Sequence, residues 1–546
     1  MTTIARYRDV TTDASARMIA DLLDELRARA RAEQDLRPVV LVETHVSWVL
    51  LGPEVYKIKK SVKFPFLDFT RDEARESACR AEIRVNRRLA PRTYLGVVPV
   101  RRRSDGRFTF HANGVITEWA VHMNRLDDDA RADHLLARTA LDRGHLVELA
   151  AALARFHASA ASSPEIARAG APDAIKHNIV DNFAMLERDG AKFIDRAALR
   201  EIEAWQRGFV RTERARLEGR VRDGAIRDGH GDLRLEHVFA NPRGGFDIID
   251  AIECDERYRH ADVAADIAFL AMDIARLGRV DLAELFVASY ARAADDFDLY
   301  PVLDFYEGYR ACIRAKIAVA AATQPGATTA SVDAASADAR RYLVLAQSAH
   351  RRPLLRSRVI AVGGGIASGK STLAAELGDA LSAPVIDADR TRKSLLGIAP
   401  TKHIVVGSRK GTYEPAFSEL VYEEVLRRAD QVLASGRPVI LDASFRSSAM
   451  RAAARALAHT HGVPFVLLEC RAPPAMCRER LRQREMEASS VSDAAAGVLE
   501  AFLAGYEPIV ELPLDEYAAI DTCRTPEAAL VQAKRIVATW PQRLVG

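Results

Sequence analysis

The run Gly364-Gly365-Ile366-Ala367-Ser368-Gly369-Lys370-Ser371 has the residue types and the spacing to hold a polyphosphate. Glycines at 364, 365 and 369, with the small Ser368 between them, let backbone N–H groups curl around phosphate oxygens, and a helix opening at the end of the loop adds favourable partial charge. Lys370 is spaced to reach the β- and γ-phosphates, Ser371 to hold Mg²⁺, and Thr372 to complete the nucleotide-binding set at the first turn of the helix. The chain around the loop meets the same requirement. The apolar run Val359-Ile360-Ala361-Val362 precedes it, and the helix-like stretch Thr372-Leu373-Ala374-Ala375-Glu376-Leu377 follows. An accidental glycine-rich turn needs neither flank, so the sequence predicts a P-loop that binds ATP with Mg²⁺.

A second cluster lies far upstream, at His230-Gly231-Asp232-Leu233-Arg234-Leu235-Glu236-His237. The octapeptide resembles the catalytic loop of the aminoglycoside phosphotransferase family. The resemblance, which covers most of residues 37 to 345, implies a bilobal α+β fold of protein-kinase type. It implies that Asp232 accepts the proton of a substrate hydroxyl and that Asp250, 250 − 232 = 18 residues on, carries Mg²⁺. It also implies that Lys57 holds nucleotide phosphates, that Glu82 pairs with that lysine, and that Ile116 to Val121 is the hinge strand beside adenine. Lys59 shares a strand face with Lys57 and competes for its role. The stretch Asp262 to Phe269 is similar to the acidic helix that follows the metal aspartate in the family. Two positions depart from the pattern. His237 stands where the family places a metal-binding Asn, and Mg²⁺ prefers hard oxygen ligands. Glu236 or water then substitutes, or His237 is structural, or the lobe binds nucleotide without turning it over. No glycine-rich loop joins the first two strands, which leaves Ser47 as the phosphate contact there.

These residues must be positioned by regular elements, and hydrophobic periodicity supplies them. Ser15 to Arg31 has helical spacing, with apolar residues at Met18, Ile19, Leu22, Leu23 and Leu26. Three short antiparallel strands are predicted at Val39 to Val42, Trp48 to Leu51 and Val55 to Lys59, then a charged helix at Arg71 to Leu89, and strands at Gly96 to Val100, Arg107 to His111 and Val115 to Val121. Helices dominate from Asp142 to about Ala322. Thr323 to Ser331 reads as a surface loop, and Ala334 to Ala349 as a further helix. After the loop at 364, strands at Pro384 to Asp389, Pro438 to Asp442, Phe465 to Glu469 and Tyr517 to Asp521 alternate with helices. That alternation predicts an α/β P-loop NTPase domain with a parallel sheet.

The C-terminal pattern resembles the nucleoside-monophosphate-kinase-like group, which includes gluconate and shikimate kinases, zeta-toxin-type kinases and 5′-polynucleotide kinases. Parallel strands aim their C-terminal ends at one crevice. Asp389, read as the end of the second strand, is therefore the expected general base, with a helix N-cap as its structural alternative. Arg390 and Arg392 are expected to hold an anionic substrate. Asp442 suits the role of orienting Mg²⁺. Arg478, Arg480, Arg482 and Arg484 share one helix, and Arg480 and Arg484 lie on one face of it. They match the Arg-Leu-x-x-Arg lid of these kinases, where positive charge stabilises the transferring phosphoryl group. Oligomeric motors of the AAA+ kind fit less well, because no Asp-Glu pair ends the Asp442 strand.

At 546 residues the chain exceeds one hydrophobic core. The expected parts are an N-terminal helical leader at 1–36, a kinase-like domain at 37–350, and a P-loop kinase domain at 353–546, with the boundary at Arg351-Arg352-Pro353. With 78 basic and 75 acidic residues, the formal net charge of +3 argues against a general nucleic-acid binder. The six cysteines form no CxxC pair, and neither a signal-peptide core nor a membrane-spanning run is visible, so a cytoplasmic location is expected. The leading expectation is ATP-dependent phosphorylation of a small hydroxylated molecule at the C-terminal site. The alternatives are a regulatory, ligand-sensing pseudokinase in the N-terminal lobe, or a 5′-polynucleotide kinase in the P-loop domain. The acceptor and the oligomeric state are left open, since the loops that select a substrate follow no motif.

Overall fold

Alternation along the strand Glu54–Lys59 sorts its side chains between two layers. Tyr56 and Ile58 turn to one face, where they pack with Trp48, Leu50 and the Met18, Leu22 and Leu26 stripe of the helix Asp13–Ala32. Val55, Lys57 and Lys59 turn to the other, where Val55 meets Cys79 and Ile83 of the helix Asp72–Asn86. The computed structural model that shows this describes residues 13–44, 46–64, 67–323, 328–348, 356–398, 415–486 and 505–537. The chain divides into two compact units, residues 1–273 with 305–350, and residues 274–304 with 351–546.

The first unit has the kinase-like α+β architecture. Its six-stranded antiparallel sheet runs in the order Val40–Glu43, Ser47–Leu51, Glu54–Lys59, Val115–Asn124, Tyr94–Arg102, Phe108–Thr109. A helical region follows, and within it the hairpin Val238–Ala240 with Phe246–Ile248 presents the catalytic-loop residues on one side and Asp250 on the other. The expected leader helix is part of this unit's core, because its apolar stripe has no other layer to bury against.

The second unit is an α/β P-loop domain. Five parallel strands run in the order Val385–Asp387, Val439–Asp442, Val359–Gly364, Phe465–Arg471, Tyr517–Asp521. Three of them, including the P-loop strand, are buried along their whole length, and their near-continuous apolar sequence reflects helices on both faces. The helix Val280–Ala294 belongs to this unit, held by ion pairs of Arg437 with Glu284 (2.7 Å) and of Arg428 with Asp295 (2.7 Å).

Two boundaries differ from the sequence reading. The second strand stops at Asp387, not Asp389, because the Asp387 carboxylate accepts the Arg390 N–H at 2.8 Å and starts the helix Ala388–Leu395. Asp389 therefore lies in the first helical turn. The helix expected at Ala334 begins at Thr329, where the Thr328 hydroxyl accepts the Ser331 N–H at 3.2 Å. Residues 324–327 of the expected loop and the expected boundary at 351–353 lie outside the described residues. No helix among the described residues is long and apolar enough to cross a membrane.

Candidate active sites

The P-loop leaves its strand at Gly364 with φ +134°, and Gly369 caps the helix Lys370–Leu381 at φ +92°. A Cβ on Gly364 would lie 2.6 Å from the Cys470 carbonyl oxygen, so the loop admits only glycine there. Lys370 and Ser371 open the helix, as the spacing predicts. Asp442 ends the neighbouring strand, almost fully buried, with Oδ1 lacking a hydrogen-bond partner among the described residues. The Ser371 hydroxyl bonds to the Asp442 carboxyl, and Lys370 acts on it electrostatically. Burial first, then the adjacent Asp387 carboxylate, pushes the Asp442 carboxyl well above the ordinary carboxylate range despite Lys370 and Ser371.

Asp387 and Asp442 are register partners on adjacent parallel strands. Sequence reasoning passed over Asp387, although its signal was present, an Asp at the end of an apolar run. Two carboxylates that repel each other in a buried site, one with an unpartnered oxygen, together with a hydroxyl, form a hard-oxygen donor set that fits Mg²⁺.

The arginines singled out in the sequence have partners of their own. Arg390 donates to the Arg292 carbonyl at 2.8 Å, and the buried Arg392 lies over the Phe417 ring at 5.9 Å. Arg480 donates to the carbonyls of Thr522 (2.6 Å) and Ala367 (3.3 Å), bracing the loop from behind. A cavity of about 150 Å³ opens there between Gly369, Thr372, Arg480, Thr522 and Pro526. Arg484 lies in the helix Pro474–Met486, and its side chain is outside the described residues.

In the kinase-like unit the structure brings Lys57, Glu82 and Asp250 together and adds Lys59 and Glu253. Lys57 Nζ lies 2.9 Å from Glu82 Oε1 and 2.8 Å from Asp250 Oδ1. Lys59 Nζ lies 2.6 Å from Glu82 Oε2 and also pairs with Glu253. Lys59 is fully enclosed, whereas Lys57 is partly exposed and reaches Asp250. Burial opposes ionisation of Glu82, but the two ammonium groups outweigh it and hold the carboxyl below its ordinary range. Lys57 keeps Asp250 low in the same way. Asp250 has φ +64°, a left-handed conformation that costs energy for a non-glycine residue and aims its carboxylate back at the sheet.

The catalytic loop is pinned from its back. Asp266, within the stretch the sequence flagged, accepts the His230 and Gly231 N–H groups at 2.7 and 3.0 Å, and Asp273 accepts that of Leu235 at 3.0 Å. Asp232 is bound by the Arg234 guanidinium at 3.0 to 3.2 Å, which overrides the effect of burial and holds its carboxyl below the ordinary range. His237 Nδ1 lies 2.8 Å from the Asp232 carbonyl and Nε2 3.1 Å from Arg234. Arginine can only donate, so Nε2 accepts and Nδ1–H donates. His237 is thereby committed to the loop, with Nε2 3.7 Å from Asp250. Ser47 is completely buried, which removes it as a phosphate contact.

The family described as "AAA domain" matches residues 359–509. A gluconokinase structure from Sinorhizobium meliloti 1021 is 20% identical, covering 34% of this chain and 94% of its own, with a TM-score of 0.23. An aminoglycoside 2′-phosphotransferase-IIIa structure with GDP is 15% identical, covering 60% of this chain and 96% of its own, with a TM-score of 0.36. The Mycobacterium tuberculosis (strain ATCC 25618 / H37Rv) protein named "Uncharacterized protein Rv2004c" is 34% identical over 497 residues, 90% of this chain and 94% of its own length. Identity of that extent runs through both units, and the chain belongs to the family of this mycobacterial protein.

Proposed function

We propose that the chain is an ATP-dependent phosphotransferase acting on a small hydroxylated molecule in the cytoplasm, with the P-loop unit as its working kinase. The observation that carries this reading is the assembly of Lys370, Ser371, Asp387 and Asp442 at the C-terminal edge of the parallel sheet, with a buried carboxylate oxygen awaiting a partner. Asp442, Asp387 and Ser371 would hold Mg²⁺, which when bound supplies positive charge to the polyphosphate. Lys370 and the loop N–H groups hold the β- and γ-phosphates. Asp389, partly exposed in the helix that begins at the same edge, takes the proton of the acceptor hydroxyl as that oxygen bonds to phosphorus and ADP leaves. Arg480 and Arg484 contribute positive charge to the closed state, Arg480 from its present place behind the loop.

A second reading is favoured by the clamp of Arg234 on Asp232 and by the commitment of His237, which make the kinase-like unit a ligand sensor that regulates the P-loop unit. The intact Lys57, Glu82 and Asp250 cluster supports nucleotide binding under either reading. The 5′-polynucleotide reading is not favoured by the near-neutral net charge of +3. ADP release with Mg²⁺-ATP and a panel of sugars, polyols, aminoglycosides, nucleosides and 5′-hydroxyl oligonucleotides tests the proposal. Acceptor-stimulated turnover is expected to vanish in Lys370→Ala and persist in Asp232→Ala. The reverse pattern would overturn it.

A further inference from the structure

Beside Gly231 and Asp232 the kinase-like unit encloses a cavity of about 260 Å³. Tyr258, Tyr306, Tyr309 and Phe269 contribute to its wall, and Lys316 and Asn182 line it as well. Two of the three carboxylates of this cavity are already matched by arginines, and the third lies beside a histidine. Asp232 is bound by Arg234, Asp262 by Arg220 at 2.6 Å, and Asp181 faces His177 at 3.4 Å. Of its basic side chains, Arg257 pairs with Asp255, and Arg310 donates to the carbonyls of Gly231 and Ala265 while lying over the Phe269 ring.

Lys316 differs from both. Its ammonium donates to the Asn182 side-chain oxygen at 2.5 Å, and among the described residues no carboxylate lies within ion-pair distance. Burial pulls it below the ordinary lysine range, and Asp181 offsets this only from farther away. A partly desolvated cation without a counter-ion, in a cavity that also contains the catalytic-loop aspartate, is electrostatically incomplete. An anionic ligand would complete it, while a polycation would meet an uncompensated like charge.

We propose that this cavity binds a hydroxylated anion, its carboxylate or phosphate on Lys316, its carbon skeleton against the tyrosines, and one hydroxyl at Asp232. Where the unit turns over, that hydroxyl's proton passes to Asp232 as its oxygen bonds to the γ-phosphorus of ATP and the bridging P–O bond breaks to release ADP. The binding itself needs no turnover at either site, so it is distinguishable from the P-loop proposal above.

The test is calorimetric titration of the full chain carrying Lys370→Ala with four matched probes: D-glucuronate, D-glucose 6-phosphate, D-glucose and D-glucosamine. At least one anion is expected to bind tenfold or more tighter than glucose, and which of the two does so identifies the anionic group. Adding Lys316→Ala is expected to abolish that preference, and adding Lys316→Arg to retain it, the latter showing that the site folds with a substituted residue 316. Equal binding of glucose, a preference for glucosamine, an unchanged preference in Lys316→Ala, or no binding of any probe would overturn the proposal.

Discussion

Two buried residues of the kinase-like unit show how single side chains set its energetics. Glu82 pairs with two lysines at once, so its removal leaves Lys57 with Asp250 alone and Lys59 with Glu253 alone in a desolvated site. Glu82→Ala is expected to lower the stability of this unit by about 3–5 kcal/mol. Urea unfolding followed by tryptophan fluorescence reads it, since Trp48, Trp119 and Trp205 all lie in this unit. His230 is the second case. It is fully buried, its Nε2 faces the Ile249 carbonyl at 3.0 Å, and its Nδ1 accepts the Asp232 N–H at 3.3 Å. Both contacts suit the neutral ring, and burial lowers the folded-state value to about 4 from 6.5. The unfolded chain therefore binds more protons between these values, and stability is lost as pH falls from 6.5 through 4, by roughly 3 kcal/mol for this residue. In His230→Gln the urea midpoint is expected to fall less steeply between pH 7 and pH 4.5. An unchanged slope would show that His230 is not the group responsible.

At the scale of elements, the P-loop strand and its helix depend on a turn that only a bare backbone can make. Gly364→Ala brings a Cβ against the Cys470 carbonyl at a φ that side chains rarely adopt, and the loop must shift. A loss of ATP-analogue affinity of at least tenfold is expected by calorimetry. Gly365→Ala meets no atom within 4 Å, so its thermal midpoint should stay within about 2 °C of the parent's. The second strand teaches a related lesson. Strand and helix signals overlap at Asp387-Ala388-Asp389, and the first aspartate captured the helix N-terminus because its carboxylate reached the Arg390 N–H. The base proposed at Asp389 is thereby carried on a helical turn beside the strand end that the sequence had assigned to it.

At the scale of the whole molecule, the P-loop unit is not contiguous in sequence. Residues 274–304 belong to it, and Glu284 and Asp295 neutralise Arg437 and Arg428, which are both buried. A fragment spanning 353–546 would leave Arg437 without a carboxylate and Arg428 with Glu424 alone, and expose the apolar surface that packs around Tyr300. Its circular dichroism melt is expected to be broad or absent, whereas the full chain melts cooperatively. A sharp, ATP-stabilised transition in the fragment would show that the segment is dispensable.

The sequence by itself determined the two fold types, the P-loop and the order of the main strands in the chain, and it singled out Lys57 or Lys59, Glu82, Asp232 and Asp250 through a family resemblance. Those features are local, since period-two and helical spacing, a glycine pattern or a short loop motif is written in adjacent residues. Tertiary structure decided what depends on distance through space. It placed Asp387 beside Asp442, gave Lys57 rather than Lys59 the contact with Asp250, turned His237 and Arg234 onto Asp232, and joined residues 274–304 to a unit that begins again only at 351. Each outcome is set by which buried charge finds its partner first at hydrogen-bond range, and a linear pattern of residue types carries no measure of that range.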